Sequence, residues 1–143
     1  MKNERFLSPD IWQSLYTGNE ANCLGFAIGE AECIELPWEA ISIEDSFRNT
    51  VKKYSVKVRK VDSITAGKYH FLVYGFYPMP YFDYYSFKTK YRPSDFHIVR
   101  IEPDGTWVHK PDAIEPPAVI KEHGELTFGE YIETPAIFVL DED

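Results

Sequence analysis

Two alternating apolar segments joined through Glu102-Pro103-Asp104-Gly105 constrain this 143-residue chain more than any other feature. Asp-Gly between alternating apolar residues is the strongest short-range hairpin signal, because the tight turn needs residues that tolerate a left-handed backbone. The hairpin predicted here pairs residues 95–101 with 106–110. Period-two alternation gives His97, Val99 and Ile101 one face and Phe96, Ile98 and Arg100 the other. With the turn at Asp104-Gly105, residues near 97–99 lie across from 109–111, which sets His97 and His109 close together.

The segments ahead of this hairpin read first as helices. Ser8-Pro9-Asp10-Ile11-Trp12 is an N-cap followed by proline at the first helical position, giving a helix over 9–16. Thr17-Gly18-Asn19-Glu20 reads as a turn, and Asn22 caps a second helix with Cys23 in its first turn and Phe26, Ala27 and Ala31 following. Ser42-Ile43-Glu44-Asp45 resembles a capping box, and Ile43, Phe47, Val51 and Tyr54 recur at helical spacing.

After Tyr54 the period changes. Residues 55–61 alternate as a half-buried strand, and 68–76 form a strand nearly continuous in apolar residues, ended by Pro78-Met79-Pro80. The aromatic segment 81–91 reads as a loop or irregular strand, the prolines at 111, 116 and 117 as a loop, 136–140 as a last strand and 141–143 as a solvated end. Helices first and an antiparallel sheet later is the α+β pattern, in a single domain spanning 1–143.

Charge and cysteine count narrow the function. A net charge of −8 disfavours a duplex nucleic-acid footprint and an anionic membrane surface, both of which need basic faces. Two cysteines are too few for a secreted disulfide scaffold. The first residues lack the apolar run of a signal peptide, and no stretch approaches the roughly 20 apolar residues of a membrane span. The expectation is a cytoplasmic chain with free thiols, with release by lysis or signal-less export as alternatives. No phosphate-cradling glycine loop and no metal-ligand spacing occur, so neither a cofactor nor a metal is expected. His70 falls within a strand and His123 precedes Gly124 in a loop, and neither has a partner that raises it to a site.

Cys23, His97 and His109 are the chemistry-bearing residues. A thiol, a base and a polar group that orients the base are the minimum parts of nucleophilic acyl transfer. A helix start favours the Cys23 thiolate, because unsatisfied N–H groups point toward it. His97 is the candidate base, beside Asp95, and His109 the candidate orienter that fixes its tautomer. Direct transfer predicts a Cys23 sulfur within about 4 Å of a His97 ring nitrogen. Oxyanion donors would be the Cys23 backbone N–H and a side chain from Asn22, Tyr16 or Gln13. Trp12, Tyr16 and the aromatic segment 81–91 could equally line a substrate groove or pack a core. Cys33, flanked by Glu32 and Ile34-Glu35, reads as structural.

A helix-start cysteine, a strand histidine some 70 residues on and a second histidine 12 later resemble the NlpC-like cysteine peptidases of the papain superfamily. Asn22 stands where that family carries an acidic or amide residue before the nucleophile, and Gly25 where a small residue follows. His97, Asp104-Gly105 and His109 match its strand–turn–strand layout. The match runs over roughly residues 16–110. It departs at Leu24, where a serine is usual, at Phe96, where a small residue is usual, and at Gly67-Lys68, where Gly-Asp is common. The resemblance implies a papain-like fold, a Cys-His-His triad and a peptide or peptidoglycan stem as substrate. Alternatives are an acyltransferase or deamidase with the same triad, and a non-catalytic binding or immunity-type module that keeps the fold.

Overall fold

The computed structural model describes residues 5–16, 20–36, 43–75, 78–93, 96–111, 115–121 and 135–141. Helix α1 (Pro9–Leu15) starts where Ser8 caps it, the Ser8 hydroxyl accepting from the Ile11 N–H. Helix α2 (Cys23–Ile28) is capped by Asn22 and stops at Gly29, whose φ of 80° turns the chain left-handed. Its end at Ile28 leaves Ala31 outside the helix, contrary to the sequence expectation. A side chain at Gly29 would meet the Arg5 carbonyl at 2.2 Å, so the stop is also where another segment crosses closely. Helix α3 (Ile43–Lys52) has Glu44 and Asp45 in its first turn and Lys52 in its last, as the helix dipole favours. Ser42 of the expected capping box lies outside the described residues, as do Asp95 and His123.

Among the described residues eight strands follow: β1 (Val58–Val61), β2 (His70–Gly75), β3 (Pro78–Asp83), β4 (Lys88–Pro93), β5 (Phe96–Ile101), β6 (Trp107–His109), β7 (Ala118–Ile120) and β8 (Ala136–Leu140). Six form one antiparallel sheet in the order β1-β8-β2-β5-β6-β7, while β3 and β4 make a separate two-stranded ribbon. The chain is therefore α+β with a mainly antiparallel sheet. Among the described residues no helix is long and apolar enough to cross a membrane.

Two elements differ from the sequence reading. Segment 78–93 is a regular hairpin rather than an irregular stretch. Its prolines do not end pairing, because Pro78 faces Pro93 in a ribbon that needs no further partner on its outer edges. Strand β7 forms just past Pro116 and Pro117, with Trp107 facing Ile120 and His109 facing Ala118.

Strand alternation divides the core. Phe71, Val73, Ile98 and Phe138 pack with Leu24, Ala27, Ile28, Phe47 and Val51 on the helix-covered face. Leu72, Tyr74, Val99, Ile101 and Ile120 form a second buried cluster on the opposite face. Burying such a side chain is worth roughly 1.5–3 kcal/mol, so each face contributes strongly to stability. Arg100, fully buried on the helix side, donates to the Phe26 and Ala27 carbonyls at the end of α2 and to the Leu7 carbonyl at 2.6 Å. Its Nε pairs with Glu102 at 2.7 Å. These bonds fasten α2 across β5 and fix where Cys23 sits.

Candidate active site

The turn of the β5–β6 hairpin forms as the sequence predicts. Gly105 takes φ 93°, its N–H donates to the Glu102 carbonyl, and Asp104 accepts from the Thr106 N–H at 2.9 Å. The observed pairing of Ile101 with Trp107 and Arg100 with Val108 leads, one residue on, to Val99 beside His109. His97 therefore lies diagonal to His109 on the same face. The rings meet edge to face at 88°, with His97 Nε2 2.8 Å from His109 Nδ1. One of these two nitrogens must carry the shared hydrogen. If His97 Nε2 donates, its Nδ1 keeps a lone pair and can accept a proton.

Both imidazoles are held neutral. Burial, and secondarily the neighbouring His109, push the His97 pKa down to about 3, and burial lowers His109 as well. A thiolate beside His97 would act in the opposite direction, since an anion favours the imidazolium. His70, also fully buried, accepts from the Thr65 N–H through Nε2, which leaves its Nδ1–H to donate to the Lys68 carbonyl. Burial lowers its pKa too, and its bonds secure the 62–69 connection rather than a reactive group.

Cys23 is the first residue of α2 and is 6% exposed. Its thiol donates a long hydrogen bond, 4.0 Å, to the carbonyl of Phe96, the peptide that leads into His97. Covalent geometry then places the His97 Cα within about 7 Å of the sulfur. Alternation turns the two side chains differently. Cys23 belongs to the helix-side cluster with Val73 and Ile98, whereas His97 pairs with Tyr74 on the opposite face. Thiol and imidazole thus belong to opposite faces of β5 at its start, which is not the shared face that the direct transfer expected from the sequence needs.

The proposed oxyanion and groove residues have other employment. The Asn22 carbonyl oxygen accepts from the Gly25 and Ile34 N–H groups, and its amide donates to the Ile34 carbonyl at 2.7 Å. That side chain is a cap and a tie to the following loop. Gln13 donates to the Pro117 carbonyl. Trp12, expected as a groove residue, is 1% exposed and packs with Ala21, Phe26 and Val108, and its indole N–H is buried without a partner. The placement of α1 against Phe26 and Val108 puts this ring in the core. Tyr16 stacks on Trp12 at 4.6 Å and stays half-buried. The Cys23 backbone N–H, at the first position of α2, is the expected oxyanion donor nearest the thiol.

Gly25 matters for a reason the sequence only hinted at. A side chain there would meet the Glu32 carbonyl at 2.0 Å and the Glu30 carbonyl at 2.9 Å, so the 30–32 backbone crosses directly over the helix carrying Cys23. Cys33, expected to be structural, is instead exposed. Sequence reasoning also passed over Lys110, which is fully buried beside His109. Its place in the strand alternation, on the side of Val108, was the available signal. Among the described residues no three His, Cys, Asp or Glu side chains gather as a metal site. A cavity of about 230 Å³ opens at the far end of the β5–β6 hairpin, by Ser8, Asp10, Glu102 and Asp104, away from the imidazole pair. Comparison with family models, with curated proteins and with solved structures finds no match to this chain, so the side-chain geometry alone carries the functional argument.

Proposed function

We propose that this chain is a papain-like, NlpC-like thiol hydrolase that cleaves an amide bond in a peptide or peptidoglycan stem. The observation that carries the reading is the 2.8 Å contact between His97 Nε2 and His109 Nδ1. An imidazole oriented by a second polar ring is positioned to accept a proton, and a thiolate beside it would raise its pKa from about 3 toward the working range. Cys23 Sγ attacks the substrate carbonyl while His97 Nδ1 takes the thiol proton, and the Cys23 N–H receives the developing oxyanion. His97 then protonates the leaving amine as the tetrahedral adduct collapses to a thioester. Water, deprotonated by His97, releases the acid and restores the thiol. Because the two side chains leave β5 on opposite faces, proton exchange between Sγ and Nδ1 requires a relaying water at the start of β5. An amine in place of water would make the same site an acyltransferase, and a primary amide substrate a deamidase.

One observation favours a second reading. Cys23 is nearly buried and shares a cluster with Val73 and Ile98, on the side of β5 away from Tyr74. A small hydrophobe does the same, which suits a binding module that keeps the fold without the chemistry. Mass spectrometry of peptide and muropeptide stems incubated with the wild type separates the two. Cleavage lost in Cys23→Ala and in His97→Ala, with the double variant no worse than either, is the expected result. Cleavage that persists in Cys23→Ala, or no cleavage by wild type of any stem offered, rejects the hydrolase.

A further inference from the structure

The β3–β4 ribbon ends in four aromatic side chains that the sheet does not use. Phe82 is 44% exposed, Tyr84 77%, Tyr85 100% and Phe87 77%. They are not scattered: the Phe82 ring meets Tyr84 at 4.8 Å and Phe87 at 6.2 Å, both edge to face. The turn spends conformational energy on this arrangement. Phe87 is held at φ 55°, a region bulky side chains avoid, by its N–H bond to the Asp83 carbonyl.

Charge sets this ribbon apart from the rest. Lys88, Lys90 and Arg92 against Asp83 alone leave segment 78–93 at +2, in a chain whose net charge is −8. The one anion is engaged inside the turn, Asp83 accepting from the Tyr85 N–H and the Ser86 hydroxyl at 3.0 Å each. Lys88 is exposed next to the rings. At physiological ionic strength charges are screened over about 8 Å, so a surface touching the tip meets its local cations before the acidic body.

We propose that the β3–β4 tip docks on an anionic phospholipid bilayer, seating its aromatic rings in the interface while Lys88 meets lipid phosphates. Tyrosine and phenylalanine rings favour that boundary, and basic residues beside them draw them to anionic lipid. A second copy of the acidic chain would offer the same charge complementarity. The four rings, at roughly 150–250 Å² each when fully covered and already partly shielded, fall short of the roughly 800 Å² per partner of a stable protein interface. A bilayer needs no shaped counterpart. The net negative charge expected to disfavour an anionic membrane is thus a property of the whole chain and not of this ribbon.

Sedimentation of the full chain with vesicles tests the proposal. Wild type should bind equimolar phosphatidylcholine–phosphatidylglycerol vesicles, bind phosphatidylcholine alone far more weakly, and release as salt is raised. Lys88→Gln should weaken binding about fivefold, the effect of one cation at such a surface. The combined variant Tyr84→Ser, Tyr85→Ser, Phe87→Ser should fall to the level of phosphatidylcholine, with an unchanged circular dichroism spectrum. If that variant misfolds, Tyr85→Trp decides with the other rings intact, its emission shifting to the blue on mixed vesicles. Absence of binding to the mixed vesicles, binding undiminished by the serine variant, or no emission shift would overturn the proposal. So would concentration-dependent dimerisation without lipid that the serine variant abolishes, which would make a second copy the occupant.

Discussion

Acidification from pH 7 to pH 5 should cost the native state about 2 kcal/mol through His97, because burial holds this imidazole neutral. Its pKa falls from 6.5 to about 3 on folding. Between those values the unfolded chain binds a proton that the native chain refuses, so stability is complete above the unfolded pKa and declines as pH drops toward 3. Linkage across that window gives the figure of about 2 kcal/mol at pH 5, rising to about 3 kcal/mol at pH 4, a large part of a typical 5–15 kcal/mol total. His109 is lowered in the same direction and adds to the fall. Urea unfolding of wild type and His97→Gln at pH 7 and pH 5, followed by tryptophan fluorescence, isolates the effect. Glutamine cannot titrate but keeps an amide within reach of His109. Wild type should lose about 2 kcal/mol more than the variant over this interval. Parallel losses, or a wild type that gains stability in acid, would show that His97 is charged in the native state and would refute the neutral-base account.

Two further substitutions test how the cysteine is positioned. Gly25→Ala places a methyl group against the Glu32 and Glu30 carbonyls. The helix-propensity gain of about 1 kcal/mol is outweighed by overpacking, and a net destabilisation of about 2 kcal/mol or more is expected in urea melts. Asn22→Ala removes the cap of α2 together with both bonds to Ile34. It should lower stability by about 1–2 kcal/mol, while Asn22→Asp, which retains the accepting oxygens, should recover part of it.

The legible part of the fold was the part with local causes. Ser8-Pro9 and Asn22 mark helix starts through groups they satisfy themselves, and Asp104-Gly105 fixes both a turn and the register that joins His97 to His109. The ribbon at 78–93 was not legible, since its prolines oppose a central strand and only tertiary isolation makes them harmless. Strand β7, three residues long after two prolines, carries too little pattern to declare itself. Trp12 could serve groove or core by composition, and only the placement of α1 against Phe26 and Val108 decides. The same holds for Cys23, because strand alternation says which face His97 takes but not which face a helix will cover.

Whether Cys23 and His97 act together is the claim on which the functional reading stands. In a Cys33→Ser background, which removes the exposed thiol, the rate of iodoacetamide addition at Cys23 can be followed by intact mass at neutral pH. With His97 as proton acceptor, the rate should drop at least about tenfold in His97→Gln, given the 10²–10⁴-fold that a positioned base can contribute. His109→Ala should lower it as well, by freeing the ring that the 2.8 Å bond orients. Equal rates in wild type and His97→Gln, in chains of equal stability at that pH, would contradict the account and leave Cys23 a packing residue.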